Sequence, residues 1–146
     1  MDINALARRP LELLPNRTYR PYLGGKLIDI LQRNPNPQDN LYPEDWVGSI
    51  SRTQRTSPDA PENEGLSFVR LPGGEKMLLR DLLAMNPAAF LGQAHAVRYG
   101  ADTGLLVKLL DSSIRLPLQA HPDRDFVAQH LTGRYGKTES WLVLDP

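Results

Sequence analysis

Apolar residues along this chain come in short runs cut by proline, glycine and polar clusters, so the pattern predicts many short elements. Leu11–Leu14 reads as a short strand in an otherwise arm-like stretch over residues 1–23. After Gly24-Gly25, Lys26–Gln32 has the spacing of one or two helical turns, and Asn34-Pro35-Asn36-Pro37 ends them. Glu44–Ser49 reads as a strand with Trp46 in it, extended by Ile50–Thr53, and Trp46 by itself is a core residue. Residues 54–65 carry almost nothing apolar and read as a surface loop. Leu66–Leu71, Pro72-Gly73-Gly74 and Glu75–Leu79 spell a hairpin, followed by a helix over Arg80–Met85 that Asn86-Pro87 stops. Thr103–Asp111 is a near-continuous apolar strand, a pattern expected when both faces are buried. Ser112-Ser113 turns the chain into a strand over Ile114–His121, a short helix over Asp123–Leu131 and a last strand over Thr138–Leu144. Neither an internal repeat nor a domain boundary is visible, and residues 1–146 read as one domain.

Composition narrows the class. Seventeen basic and seventeen acidic residues leave no net charge, which argues against a nucleic-acid partner or a membrane surface recognised by bulk electrostatics. No cysteine is present, so disulfides and thiolate metal sites are excluded. The first residues lack the pattern of a secretory signal, and no apolar run would span a bilayer. The expectation is a soluble cytoplasmic protein. Thirteen prolines and eleven glycines favour a mainly β architecture rich in turns.

Candidate chemistry concentrates near the C-terminal end. Gln119 and His121 are two residues apart in an apolar run, and in a strand such side chains share a face. Glu139 stands in the following strand-like run. An amide oxygen, an imidazole and a carboxylate converging in a sheet make a mixed nitrogen and oxygen site, suited to zinc and also to manganese or magnesium. His95, between alanines, and His130, late in a helix, have ordinary surface or capping roles. Lys108 interrupts the apolar strand and needs a partner, a functional reason or a route to the rim. Gly136-Lys137-Thr138 looks like the end of a phosphate-binding loop, but the upstream glycine spacing is wrong and no helix follows.

The order Gln119-Ala120-His121-Pro122-Asp123, a short helical insert, then Gly136-Lys137-Thr138-Glu139-Ser140-Trp141 resembles the metal-binding core of the type I mannose-6-phosphate isomerases, which are cupins. Looser matches are Tyr22-Leu23-Gly24-Gly25-Lys26, the Glu-x-Trp-x-x-Ser element at Glu44–Ser49, and Leu91-Gly92. The resemblance implies a cupin-type jelly-roll β-sandwich, incomplete here, with short helices. It implies one zinc ion per chain on Gln119, His121 and Glu139, with a further histidine that has no match here. It also implies a lysine at the position of Lys108 facing the phosphate end of the pocket, and Lys137 in the active site as a phosphate contact or catalytic proton-transfer group. Pro117 departs from the family, in which a serine at this place contacts phosphate.

By implication, the chain is the N-terminal part of a zinc-dependent isomerase interconverting mannose 6-phosphate and fructose 6-phosphate. The rivals are a non-catalytic cupin module that binds metal or sugar, and a truncated product without activity. An unpaired sheet edge after Glu139 would then allow self-association.

Overall fold

The computed structural model describes residues 2–54, 59–133 and 135–144, which form two compact units, Met1–Arg115 and Leu116–Pro146. The first unit contains the helices α1 (Ile3–Leu6), α2 (Lys26–Leu31), α3 (Leu79–Met85), α4 (Pro87–Leu91) and α5 (Gln93–Tyr99). It also holds the strands β1 (Glu12–Leu13), β2 (Arg17–Thr18), β3 (Glu44–Val47), β4 (Phe68–Arg70), β5 (Lys76–Leu78) and β6 (Val107–Leu110). The second unit carries α6 (Arg124–His130).

All strand pairs are antiparallel and make two three-stranded sheets, β1-β4-β5 and β2-β3-β6. The first sheet backs the core. Leu79, Leu82 and Leu83 recur at the spacing of one helical face, and with Leu6, Val69 and Leu71 they form the buried cluster. Val69 and Leu82 have no exposed surface, which fixes the β4–β5 register of Val69 opposite Met77. In the second sheet, Trp46 lies opposite Lys108, and Glu44 opposite Thr18 and Leu110.

A polar hub ties the first unit together. The Asn16 amide donates to the Trp46 carbonyl at 2.9 Å, the Gly65 carbonyl at 2.8 Å and Ser67 Oγ at 3.2 Å. Ser67 Oγ in turn accepts from the Ser49 amide and donates to the Trp46 carbonyl. At α2, Asp111 caps the helix from the far end of β6, accepting from the Gly25 and Leu27 amides at 3.0 and 2.7 Å. That approach needs Gly24, whose φ is +158° and where any side chain would run into the Asp111 carbonyl.

The short strand at Leu11–Leu14, the α2 turns, the Glu44 strand, the hairpin and the helices over Arg80–Met85 and Asp123–Leu131 are all present within a residue or three. Other expectations need correction. The runs Ile114–His121 and Thr138–Leu144 are not strands. Their apolar residues permit a strand, yet a strand exists only through a backbone partner, and neither run has a ladder among the described residues. In the Thr103–Asp111 run only Val107–Leu110 pairs. Leu105, Leu106 and Val107 are 66%, 38% and 49% exposed, so its faces are not both buried. Ile50–Thr53 does not continue β3.

Helices α1 and α5 were not expected, while α4 ends at the Leu91-Gly92 of the looser family match; α5 buries no residue and so presents no apolar stripe to read. Of the expected loop, residues 55–58 lie outside the described residues, while Ala60 and Glu64 are buried. Glu64 clamps the loop through the Thr53 hydroxyl at 2.6 Å and the Tyr19 amide at 2.8 Å. Antiparallel sheets and short helices are thus both present, with helix (26%) exceeding strand (15%), more helical than a mainly β chain.

Candidate functional site

The second unit places three of the expected residues together. Asp123 caps α6 by accepting from the Phe126 amide at 2.8 Å, and Val127 is the helix's buried residue. The returning chain passes close to the helix start, where the Lys137 amide donates to the Pro122 carbonyl at 2.9 Å. Gly136 makes this approach possible. A Cβ there would lie 2.7 Å from the Asp123 carbonyl carbon, 2.8 Å from the Arg124 nitrogen and 2.9 Å from the Pro122 oxygen. The bond at Pro122 helps to set Lys137 and Glu139 beside His121.

His121 Nε2 is 3.5 Å from Glu139 Oε2, and Lys137 Nζ is 2.9 Å from that same oxygen and 3.1 Å from the imidazole nitrogen. Glu139 is the most sheltered of the three side chains, at 16% exposure. Two ligands on tetrahedral zinc, with bonds of about 2.0–2.2 Å, stand roughly 3.3–3.5 Å apart, so His121 and Glu139 already have that separation. Gln119 lies two residues before His121 and is exposed. The chemistry of this donor set fits a divalent cation. Among the described residues, no group of three or more His, Cys, Asp or Glu side chains converges on one point, so a third donor must be an amide, a carbonyl or water.

Lys108 is placed in the first unit, and the structure gives it a partner. Its ammonium is 3.4 Å from Glu44 Oε1. Glu44 is 3% exposed and also accepts from the Tyr22 hydroxyl at 2.7 Å, the Trp46 indole at 2.8 Å and Arg20 Nε at 3.1 Å. The Arg20 guanidinium stacks 4.9 Å over the Trp46 ring. Burial opposes the Glu44 charge. The Trp46 and Tyr22 hydrogen bonds, then the Arg20 and Lys108 charges, outweigh it and hold the carboxyl below its ordinary value. Burial, followed by the hydrogen bond to Glu44 and its charge, pushes the Tyr22 hydroxyl well above its ordinary value. Trp46 itself is 7% exposed, as a core residue should be.

Arg20 was not singled out from sequence, and Tyr22 and Glu44 entered only as members of the looser family matches, with no site role. The signal was there in part: a lysine inside an apolar strand demands an acid, and Glu44 alternates with Trp46 on a strand. The remaining histidines fill ordinary roles. His95 Nε2 bonds the Asp102 carbonyl at 2.7 Å, and the His130 ring packs on Phe126. No described helix is long and apolar enough to cross a membrane.

Neither a family model nor a solved structure matches the chain significantly. Curated proteins do. The chain is 51% identical over 41 residues to the probable mannose-6-phosphate isomerase GmuF of Bacillus subtilis, covering 28% of this chain and 13% of that protein. It is 28% identical over 105 residues to mannose-6-phosphate isomerase ManA of the same organism, covering 68% and 33%. With mannose-6-phosphate isomerase of Salmonella typhimurium the identity is 30% over 89 residues, covering 61% and 19%. The chain therefore spans a third or less of the length of these relatives.

Proposed function

From a chain that resembles the mannose-6-phosphate isomerases over part of their length, we propose the N-terminal, metal-holding part of a cupin-type isomerase that interconverts mannose 6-phosphate and fructose 6-phosphate. The observation that carries this reading is the 3.5 Å separation of His121 Nε2 and Glu139 Oε2, with an ammonium in reach of both. His121, Glu139 and the Gln119 amide oxygen would hold one zinc ion. When bound, the ion supplies Lewis acidity at the sugar's carbonyl and hydroxyl oxygens. Glu139, committed as a ligand, is not the base that moves the proton between neighbouring carbons.

The roles of the chain's own residues follow from their chemistry. Lys137 offers a flexible ammonium for an anionic substrate group and a proton donor for a developing alkoxide. Lys108, in the first unit, carries a positive charge steadied by Glu44. Pro117 cannot donate a hydrogen bond, so in the second unit the anion contact falls on Lys137. Jelly-roll closure and a cytoplasmic setting belong to the same proposal.

A second reading, a non-catalytic metal- or sugar-binding module, is favoured by the small number of strong ligands that converge among the described residues. One experiment separates the readings. Zinc content and coupled isomerase activity are measured for the wild type, His121→Ala and Glu139→Gln. The isomerase reading expects zinc and turnover in the wild type and loss of both in the variants. Zinc without turnover supports the module, and equal zinc in all three proteins overturns the ligand assignment. With three protein ligands, affinity should fall below that of a closed structural site.

A further inference from the structure

We propose that the Lys137 ammonium is the built-in occupant of the His121–Glu139 site in the metal-free protein, and that a divalent cation enters only by displacing it. This rests on the reading of His121 and Glu139 as ligands. An ammonium has donors and no acceptor, so a hydrogen bond across its 3.1 Å contact with His121 Nε2 would use that nitrogen's lone pair. That nitrogen has one lone pair, the one a metal would take. Ammonium and metal therefore compete for a single electron pair, and they share Glu139 Oε2 as well, which Nζ approaches to 2.9 Å.

The distances make the two exclusive. A cation bonded at about 2.0–2.2 Å to both donors, on the side where Nζ sits, would lie within roughly 1.5 Å of the ammonium nitrogen. The side chain has to swing out. It can, because Lys137 is 46% exposed and carries its charge on four flexible methylenes. The arrangement has two consequences. Without metal, the tethered cation holds His121 and Glu139 at ligand separation. With metal, the ammonium is released and becomes available to an anionic substrate group, so the lysine is a positioning residue for the apo site and an anion contact in the loaded one.

The test uses the full chain and zinc alone. Zinc is titrated calorimetrically into the wild type, Lys137→Met and His121→Ala, and acetylation of the Lys137 amine in the wild type is followed by mass spectrometry with and without zinc. Displacement predicts that Lys137→Met binds zinc about five- to tenfold tighter, the worth of a half-exposed charge-assisted hydrogen bond. It also predicts that zinc raises Lys137 acetylation severalfold, a readout that needs no variant to fold. Unchanged or weaker binding by Lys137→Met, with binding lost in His121→Ala, keeps the ligand reading and overturns displacement. Acetylation that zinc leaves unchanged overturns it too. Equal binding in all three proteins, or none in any, removes the ligand reading and the displacement with it.

Discussion

The Glu44 network gives the most quantitative prediction. Oε1 accepts from Tyr22 and Lys108, and Oε2 from Trp46 and Arg20, so every lone pair of a carboxylate with 3% residual exposure is spoken for. In Glu44→Gln the amide can keep its oxygen towards Trp46 and Arg20 and turn its NH2 towards Tyr22, whose hydroxyl can rotate to accept. What is lost is the charge assistance to Arg20 and the Lys108 pair. Charge-assisted bonds are worth about 1.5–3 kcal/mol against about 1 for neutral ones, and Lys108 is partly exposed, so the expected loss is about 2 kcal/mol. Glu44→Ala strands all four donors, two of them cationic, and should lose about 3–5 kcal/mol. With a urea m-value of about 1–3 kcal/mol/M, the glutamine variant's midpoint should fall by roughly 1 M. Equilibrium unfolding followed by the fluorescence of buried Trp46 is the assay. The pH dependence gives a second check. The folded Glu44 carboxyl titrates below its ordinary 4.5, so its contribution is present above that value and is lost as pH falls through the folded value. Wild type and Glu44→Gln should therefore converge in acid. A Glu44→Gln variant within about 0.5 kcal/mol of the wild type at pH 7 would refute the reasoning.

Three further outcomes are expected. The Tyr22 hydroxyl titrates above its ordinary 10.0 in the folded chain, so its stabilisation is complete below that pH and declines as pH rises beyond it; Tyr22→Phe should flatten that alkaline decline in a denaturation series, and an unchanged slope would count against it. Asn16→Ala leaves the Trp46 and Gly65 carbonyls without the donor that joins them and should lower stability by about 1–3 kcal/mol, visible as a drop in Tm. Gly136→Ala sets a methyl against Pro122 and Asp123, which should weaken zinc binding at least about tenfold while the Trp46 unfolding transition stays where it was; unaltered binding would show that the close approach does not position the site.

Much of the fold was legible wherever a local signal decides an element. Asn34-Pro35-Asn36-Pro37 stops α2, Pro72-Gly73-Gly74 turns the hairpin, and Asp123 caps α6 as a carboxylate at a helix start should. What escaped reading is set at long range or by nothing local. Helix α5 has Ala94, Ala96 and good helix formers but buries no face, so no periodicity marks it. The cap on α2 comes from Asp111, more than eighty residues away, and no motif announces it. The network around Glu44 escaped for a related reason: Lys108 arrives through the pairing of β3 with β6, while Arg20 and Tyr22 follow β2 on the other edge of β3.

The candidate site shows how neighbouring side chains can be read from a wrongly assigned element. Gln119 and His121 were paired on the two-residue alternation of a strand, yet their run has no ladder. Alternation belongs to extended backbone as such, because successive side chains point oppositely whether or not a neighbour accepts the amides. The same holds for Lys137 and Glu139, also two residues apart, whose charged atoms meet at 2.9 Å. For Lys137 and Glu139, then, spacing predicted a shared face. Which faces then meet was decided by a separate device, the approach of Gly136 to Pro122 and Asp123 and the Lys137 amide bond to the Pro122 carbonyl. That device is written as a glycine and a proline, residues that read as loop, and it brings the two runs together.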